Sequence, residues 1–200
     1  VVVAGKRKGY DENPAAFKHI FLPGFFPKLS SSRVRAHILA SGEIPNTVPA
    51  AVRPLIEQHQ LYGLSIHAWL KSHLKTNRYI HSKSVAELAA VLSDIYNVNV
   101  ESAVKCGILH DAGKSMSGEQ LIRFCKEHKI KAPFFESICA QEPSLLHSYV
   151  SRWLARNVFN VKDKDILNAI AEHTLGSLRM STLSKILFVA DISSKDRKYK

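Results

Sequence analysis

The stretch GILHDAGK, residues 107–114, sets His110 beside Asp111 at the end of an apolar helical run and adds Lys114 one turn later. Helical spacing puts Asp111 in line with Val104 and Ile108, on the face that a helix buries. Burying a carboxylate costs several kcal/mol unless a partner compensates, which is comparable with the whole stability of a domain. Asp111 therefore requires a partner, and the search for one organises the rest of the chain.

Composition sets the bounds. The 200 residues are 46% hydrophobic, enough for one sizeable core or one domain plus part of another. No apolar run is long enough to span a membrane, and VVVAGKRKGYDENP is too short in its apolar part for a secretory signal, so the expected location is cytoplasmic with no membrane partner. Cys106, Cys125 and Cys139 are odd in number and lack C-x-x-C spacing; they read as reduced core thiols. The net charge of +11 favours an anionic partner, but it is spread over the chain and is equally compatible with nucleic acid, nucleotide polyphosphate or a solvated basic surface. The chain opens without methionine on VVVAG, which reads as a short strand, and is expected to be a fragment of a longer protein.

The texture changes near Gly63. Residues 1–63 hold six of the eight prolines. They read as a strand, an irregular stretch FLPGFFPKL, a serine-started and glycine-stopped helix in SSSRVRAHILASG, and a second helix through VPAAVRPLIEQHQLYG. This looks like the tail of an α/β unit. From Leu64 onward apolar residues recur at helical spacing almost to the end, which predicts an all-α bundle of about seven helices over 64–200. One helix carries Val85, Leu88, Ala89, Leu92 and Ile95 on one face, and SGEQLIRFCKEHK opens with a capping box from Ser117 to Gln120.

Six polar residues fall on apolar faces. They are His81, His110, Asp111, His147, His173 and Asp191, placed near the ends of five helices. A lone histidine at a helix end is usually a hydrogen-bonded group. Four imidazoles and two carboxylates together form a mixed N/O set suited to Fe, Mn or Zn and not to the all-oxygen cage of calcium. A cation would make buried Asp111 and Asp191 tolerable.

The order His81, His110-Asp111, Asp191 resembles the HD superfamily of metal-dependent phosphohydrolases. RYIHS (78–82), GILHDAGK (107–114), LLHS (145–148), ILNAIAEHTLG (166–176) and MSTLSKILFVAD (180–191) are similar to the YqeK family, bacterial HD proteins that hydrolyse diadenosine tetraphosphate symmetrically to two ADP with a two-iron centre. The resemblance implies that His81, His110, Asp111 and Asp191 ligate one divalent metal, most readily Fe, with Mn or Zn as alternatives. Asp111 would bridge to a second metal held by His147 and His173, and a metal-bridging hydroxide would attack an inner phosphorus so that ADP leaves. Lys114 would neutralise charge on the phosphate chain, and Arg78, Thr174, Gly176 and Arg197 match substrate-binding positions of the family. The implied partner is a dinucleoside polyphosphate and not nucleic acid, with a homodimer left open. Where the family writes HTTGR this chain has HTLGS, so Leu175 and Ser177 replace a hydroxyl and an arginine.

Residues 1–63 resemble the C-terminal part of bacterial nicotinate mononucleotide adenylyltransferase. LSSSRVR (29–35) is similar to its ISSTxIR motif, and IPNTVPAAVRPLIEQHQLYG to its closing helix. The HxGH that carries adenylyl transfer is not in this stretch. The alternatives are a fused parent whose main role is adenylyl transfer, an HD phosphohydrolase acting on other nucleotides, and a non-catalytic module whose six residues form a polar core.

Overall fold

The computed structural model describes residues 2–7, 19–26 and 30–197, with side chains from Ser30 to Arg197. Strands β1 (Val2–Arg7) and β2 (His19–Phe26) pair in parallel, and ten α-helices follow. β2 takes up the stretch FLPGFF that reads as irregular. Its ladder jumps from Leu22 opposite Gly5 to Phe25 opposite Lys6, so Pro23 and Gly24 fall in a bulge where a proline without an N–H is tolerated.

Helix α1 (Ser31–Ser41) ends at Gly42, whose φ of 73° is the left-handed cap that glycine adopts freely. At its start Ser30 makes no side-chain capping bond. The expected long helix over 48–63 is instead a turn, the six-residue α2 (Arg53–Gln58) and a 3-10 turn (Leu61–Gly63). Pro54 explains the correction, because a proline fits only the first turn and the helix restarts there.

The bundle comprises α3 (Leu64–His73), α4 (Thr76–Ile95), α5 (Val100–Leu109), α6 (Gly118–Glu127), α7 (Phe135–Gln141), α8 (His147–Asn157), α9 (Lys164–Glu172) and α10 (Thr182–Ser193). That is one helix more than expected; the extra one, α7, is too short to show periodicity. The capping box of α6 is present on both sides, Ser117 to Gln120. Ile95 is 67% exposed instead of joining the inward face, because the buried stripe of α4 runs through Val85, Ala86, Ala89 and Ser93, and Ile95 lies two residues, about 200°, round the helix from Ser93.

A continuous core joins these helices, with Leu70, Val85, Ile108, Val150, Ile170 and Leu187 among its fully buried members. Ala36, Leu39 and Ala40 of α1 belong to the same core, and Arg33 and Arg35 pair with Asp94 and Glu101 at 2.9 and 2.6 Å. His67 of α3 ties the layers together: its Nε2–H donates to the Leu39 carbonyl at 2.9 Å and its Nδ1 accepts from the Tyr79 hydroxyl at 3.0 Å. Cys106 and Cys125 are buried free thiols and Cys139 is half-buried, as core residues should be.

The α4–α5 contact is closest at Gly107, where an added Cβ would lie 2.5 Å from the Ala86 Cα and 2.8 Å from its nitrogen. Both atoms are backbone, so the helices themselves would have to part. Gly107→Ala is expected to lower stability by about 1–3 kcal/mol, read as a shift in the urea midpoint. His67 gives a pH prediction. Burial lowers its pKa, so the folded chain holds it neutral; its contribution is complete above the unfolded value of about 6.5 and is lost as pH falls below it. His67→Gln should flatten that acid-side loss in urea titrations across pH.

Candidate metal centre

Five helices deliver the six residues that the sequence singles out. His81 comes from the second turn of α4, His110 and Asp111 from the end of α5, His147 from the start of α8, His173 from the cap of α9 and Asp191 from the last turns of α10. All six are buried. Two features of GILHDAGK make this possible. The Gly107 contact seats α5 on α4, and Gly113, whose N–H donates to Ser151 Oγ at 2.9 Å, lets the chain turn against the His147 carbonyl.

Local backbone fixes the tautomers. The Nδ1–H of His110 donates to the Gly107 carbonyl at 2.7 Å, that of His173 to Ile170 at 2.7 Å, and that of His147 to Ser144 at 2.6 Å. Each bond reaches back three residues and leaves Nε2 as a bare lone pair facing inward. Those lone pairs meet one another and carboxylate oxygens: His147 Nε2 lies 3.1 Å from His173 Nε2 and 3.1 Å from Asp111 Oδ1. His110 Nε2 lies 3.6 Å from Asp111 Oδ2 and 3.8 Å from Asp191 Oδ1, and it is fully buried with no hydrogen-bond partner.

Acceptors facing acceptors are repulsive unless a positive charge sits among them. Donors at about 2.0–2.2 Å from one cation lie about 3 to 4.4 Å from each other, which covers all of these separations. In three overlapping donor groups, His81-His110-Asp111, His110-His173-Asp191 and Asp111-His147-His173, one ligand atom from each residue lies within 4.8 Å of the others, and Asp111 belongs to two of them. The ends of α5 and α9 also point their partial negative charge at the site, which favours a cation.

Ionisation agrees. Burial pushes His110 down to about 4 and lowers His147 as well, so both rings are neutral and ready to ligate near pH 7. Burial alone would raise Asp111; positive charge at the positions of His110, His147 and His173, which a bound cation supplies in place of protons on those rings, outweighs it and holds the carboxyl well below its usual value. Burial lowers His81 too, yet its bonds to Asp191 and Asp196 more than reverse that and raise it.

A model of the HD domain matches residues 78–196. The chain belongs to the HD-domain family. The likeness carried by RYIHS, GILHDAGK and the downstream motifs is thereby borne out, and so is a helical HD fold. This HD domain is similar to the symmetrical bis(5'-nucleosyl)-tetraphosphatase of Bacillus subtilis, 30% identical over 66% of this chain and 69% of that protein. A probable nicotinate-nucleotide adenylyltransferase/Ap4A hydrolase of Mycoplasma genitalium is 31% identical over 76% of this chain, which spans 41% of that relative's length. The crystal structure of an HD superfamily hydrolase from Clostridium acetobutylicum, described as involved in NAD metabolism, superposes with a TM-score of 0.64 at 35% identity, covering 68% of this chain and 70% of that one. The clusters of this HD domain are able to hold divalent metal, as HD domains do.

Three cations border the donors. Arg78 reaches Asp111 Oδ2 at 3.4 Å, Lys114 Nζ lies 3.2 Å from the His147 ring, and Arg197 donates to the Asp191 carboxylate and, through Nε, to the Asp191 carbonyl at 3.0 Å. Thr174 and Gly176 stand just beyond His173; the Thr174 hydroxyl donates to Ser148 at 3.1 Å, and Gly176 closes α9 with a φ of 67°.

One participant is absent from the sequence-based set. The Nδ1 of His81 lies 2.8 Å from Asp196 Oδ2, an arrangement of carboxylate and imidazole that orients a ligand ring and raises its basicity. Nothing in SSKDRK marks Asp196 out, because a charged run after a helix reads as solvated surface. Asp196→Ala is expected to weaken metal binding by about ten- to a hundredfold in a chelator competition, while Asp196→Asn, which still offers a carbonyl oxygen, weakens it less.

Proposed function

We propose that this chain hydrolyses diadenosine tetraphosphate symmetrically to two ADP, at a pair of divalent metals held by His81, His110, Asp111, His147, His173 and Asp191. The observation that carries the reading is the set of inward Nε2 lone pairs, with His110 Nε2 buried and unpartnered, crowded against Asp111 and Asp191. Relatives named for this activity, including the one in Bacillus subtilis, add the substrate.

Bound there, the metals supply Lewis acidity that makes a water nucleophilic near neutral pH and polarises the phosphoryl oxygen it attacks. Asp111 has its two oxygens turned to different histidines, Oδ2 to His110 and Oδ1 to His147 and His173, and would be the residue that serves both metals. Lys114 is half-buried at the rim, its pKa lowered by burial and partly restored by Asp111, so its ammonium is exposed to little competing water and acts strongly on a phosphate chain. Arg78 and Arg197 bind the flanking phosphates, exchanging their carboxylate partners for the substrate as it enters. Thr174 and Gly176 line the approach beside His173. Leu175, 45% exposed, and Ser177, which donates to Glu172, leave that approach without the family's arginine, so the nucleoside is held there more weakly. Iron is the metal we assign, in a cytoplasmic setting, with Mn as the substitute in vitro.

The domain assignment belongs to the same proposal: residues 64–200 form the hydrolase and residues 1–63 are the end of a nicotinate mononucleotide adenylyltransferase-like unit. Relatives of two Mycoplasma species carry both activities in their names, which supports it.

The test is product analysis after anaerobic loading with Fe²⁺ or Mn²⁺. Diadenosine tetraphosphate should yield ADP alone; ATP plus AMP would overturn the attack position, and no turnover would overturn the hydrolase reading. His110→Ala and Asp111→Ala should lose stoichiometric metal and activity together. Lys114→Ala should keep its metal and lose about 10²–10³-fold in kcat.

A further inference from the structure

The ion pairs among the described residues tie down cations of α1, α4 and the end of α10: Arg33, Arg35, Arg78, Lys83, Lys195 and Arg197 each face a carboxylate. A different set has no such partner. Two cavities of about 400 and 410 Å³ share Arg152, Arg156 and Asn157 in their walls, a divided trough on the outer face of α8. Its walls carry Lys129, Lys131, Arg152, Arg156, Lys162 and Lys164 and no carboxylate. None of these six makes a salt bridge among the described residues. The nearest acids in sequence do not line it: Asp163 uses its carboxylate to cap α9, accepting from the Asp165 and Ile166 N–H groups, and Asp165 sits exposed in the first turn of that helix.

The trough is separate from the metal centre. His147, Val150, Ser151 and Leu154 turn the inner face of α8 to the core, while Arg152, Trp153 and Arg156 turn outward, and no metal-centre residue lines either cavity. Six like charges lining concave walls focus a positive potential there that attracts a polyanion. Two cavities that share a wall of arginines suit an extended ligand better than one phosphate. In one cavity the half-buried Trp153 and His128 rings, 4.3 Å apart, form part of the lining, and Asn157, Asn160 and Asn168 add amides to the walls.

The geometry points to a single-stranded nucleic acid as the occupant, its backbone tracking the six cations and a base seated at the Trp153 end. This inference is independent of the hydrolase reading, and it runs against the expectation, read from the sequence, of no nucleic-acid partner.

Fluorescence anisotropy on the full chain tests it, using a labelled oligouridylate of about 15 nucleotides in about 50 mM salt. Arg152→Glu with Arg156→Glu should weaken binding at least tenfold and reduce the slope of log K against log salt by about one to two. Metal content and hydrolytic rate should stay unchanged. Lys71→Glu with Lys75→Glu, the same charge change on exposed residues elsewhere, should alter binding less than about twofold. If the double arginine variant loses its thermal transition, Arg152→Gln with Arg156→Gln is used in its place. The proposal is overturned by no binding at low salt, by an equal loss in the lysine control, or by inorganic polyphosphate displacing the oligonucleotide at equal charge, which would make the trough a polyphosphate site.

Discussion

Three carbonyl oxygens, those of Gly107, Ser144 and Ile170, take the Nδ1 protons of His110, His147 and His173 and thereby force three Nε2 lone pairs into the same small space as Asp111 and Asp191. Each of these hydrogen bonds is local, a side chain reaching back three residues at a helix end. Their combined effect is global, since the arrangement is electrostatically untenable without a central positive charge. The same fact answers why a buried carboxylate is tolerated in GILHDAGK. Its compensation is partly internal, through Arg78, and is completed by a cation.

The fold can be understood as the scaffold that holds five helix ends at one point. α4 and α5 must be in backbone contact for His81 and His110 to bring their rings to 5.3 Å, and only a residue without Cβ at 107 allows it. α8 must begin where it does, after a proline-led 3-10 turn at Pro143–Leu146, for His147 to face inward from its first turn. The chain must fold back just after α10 ends at Ser193, because Ser194, Asp196 and Arg197 all contact Asp191 or His81. The last of these contacts makes the end of the described chain a working part of the centre rather than a trailing edge.

Much of this was legible from residue spacing. Period-3.6 stripes located the long helices, and polar residues breaking those stripes at 81, 110, 111, 147, 173 and 191 located the centre, because a buried charge without a partner is an anomaly that a sequence displays. Short elements were not legible. α7 spans seven residues, less than two full turns of pattern, and the strand at His19–Phe26 was hidden by a proline that the ladder bypasses in a bulge. Asp196 was invisible for a different reason: its role depends on where a chain reversal puts it, and a charged residue in a charged run carries no anomaly. His67 shows the same limit from the inside, a buried histidine whose partners, Leu39 and Tyr79, lie 28 and 12 residues away.

The distribution of cations separates two jobs that composition alone merges. A net charge of +11 says only that anions are attracted. At the candidate metal centre, Arg78 and Arg197 are held against carboxylates, so under the proposed function an incoming phosphate would have to displace an existing bond and would gain only the difference between the two. That arrangement trades affinity for selectivity toward ligands whose charge density exceeds a carboxylate's. Along α8 the six cations have no such competitor, so they bind weakly specific polyanions strongly and lose that binding steeply with salt. The two surfaces therefore differ in kind: one discriminates and the other concentrates, and a single basic chain carries both because α8 presents its histidine face inward and its arginine face outward.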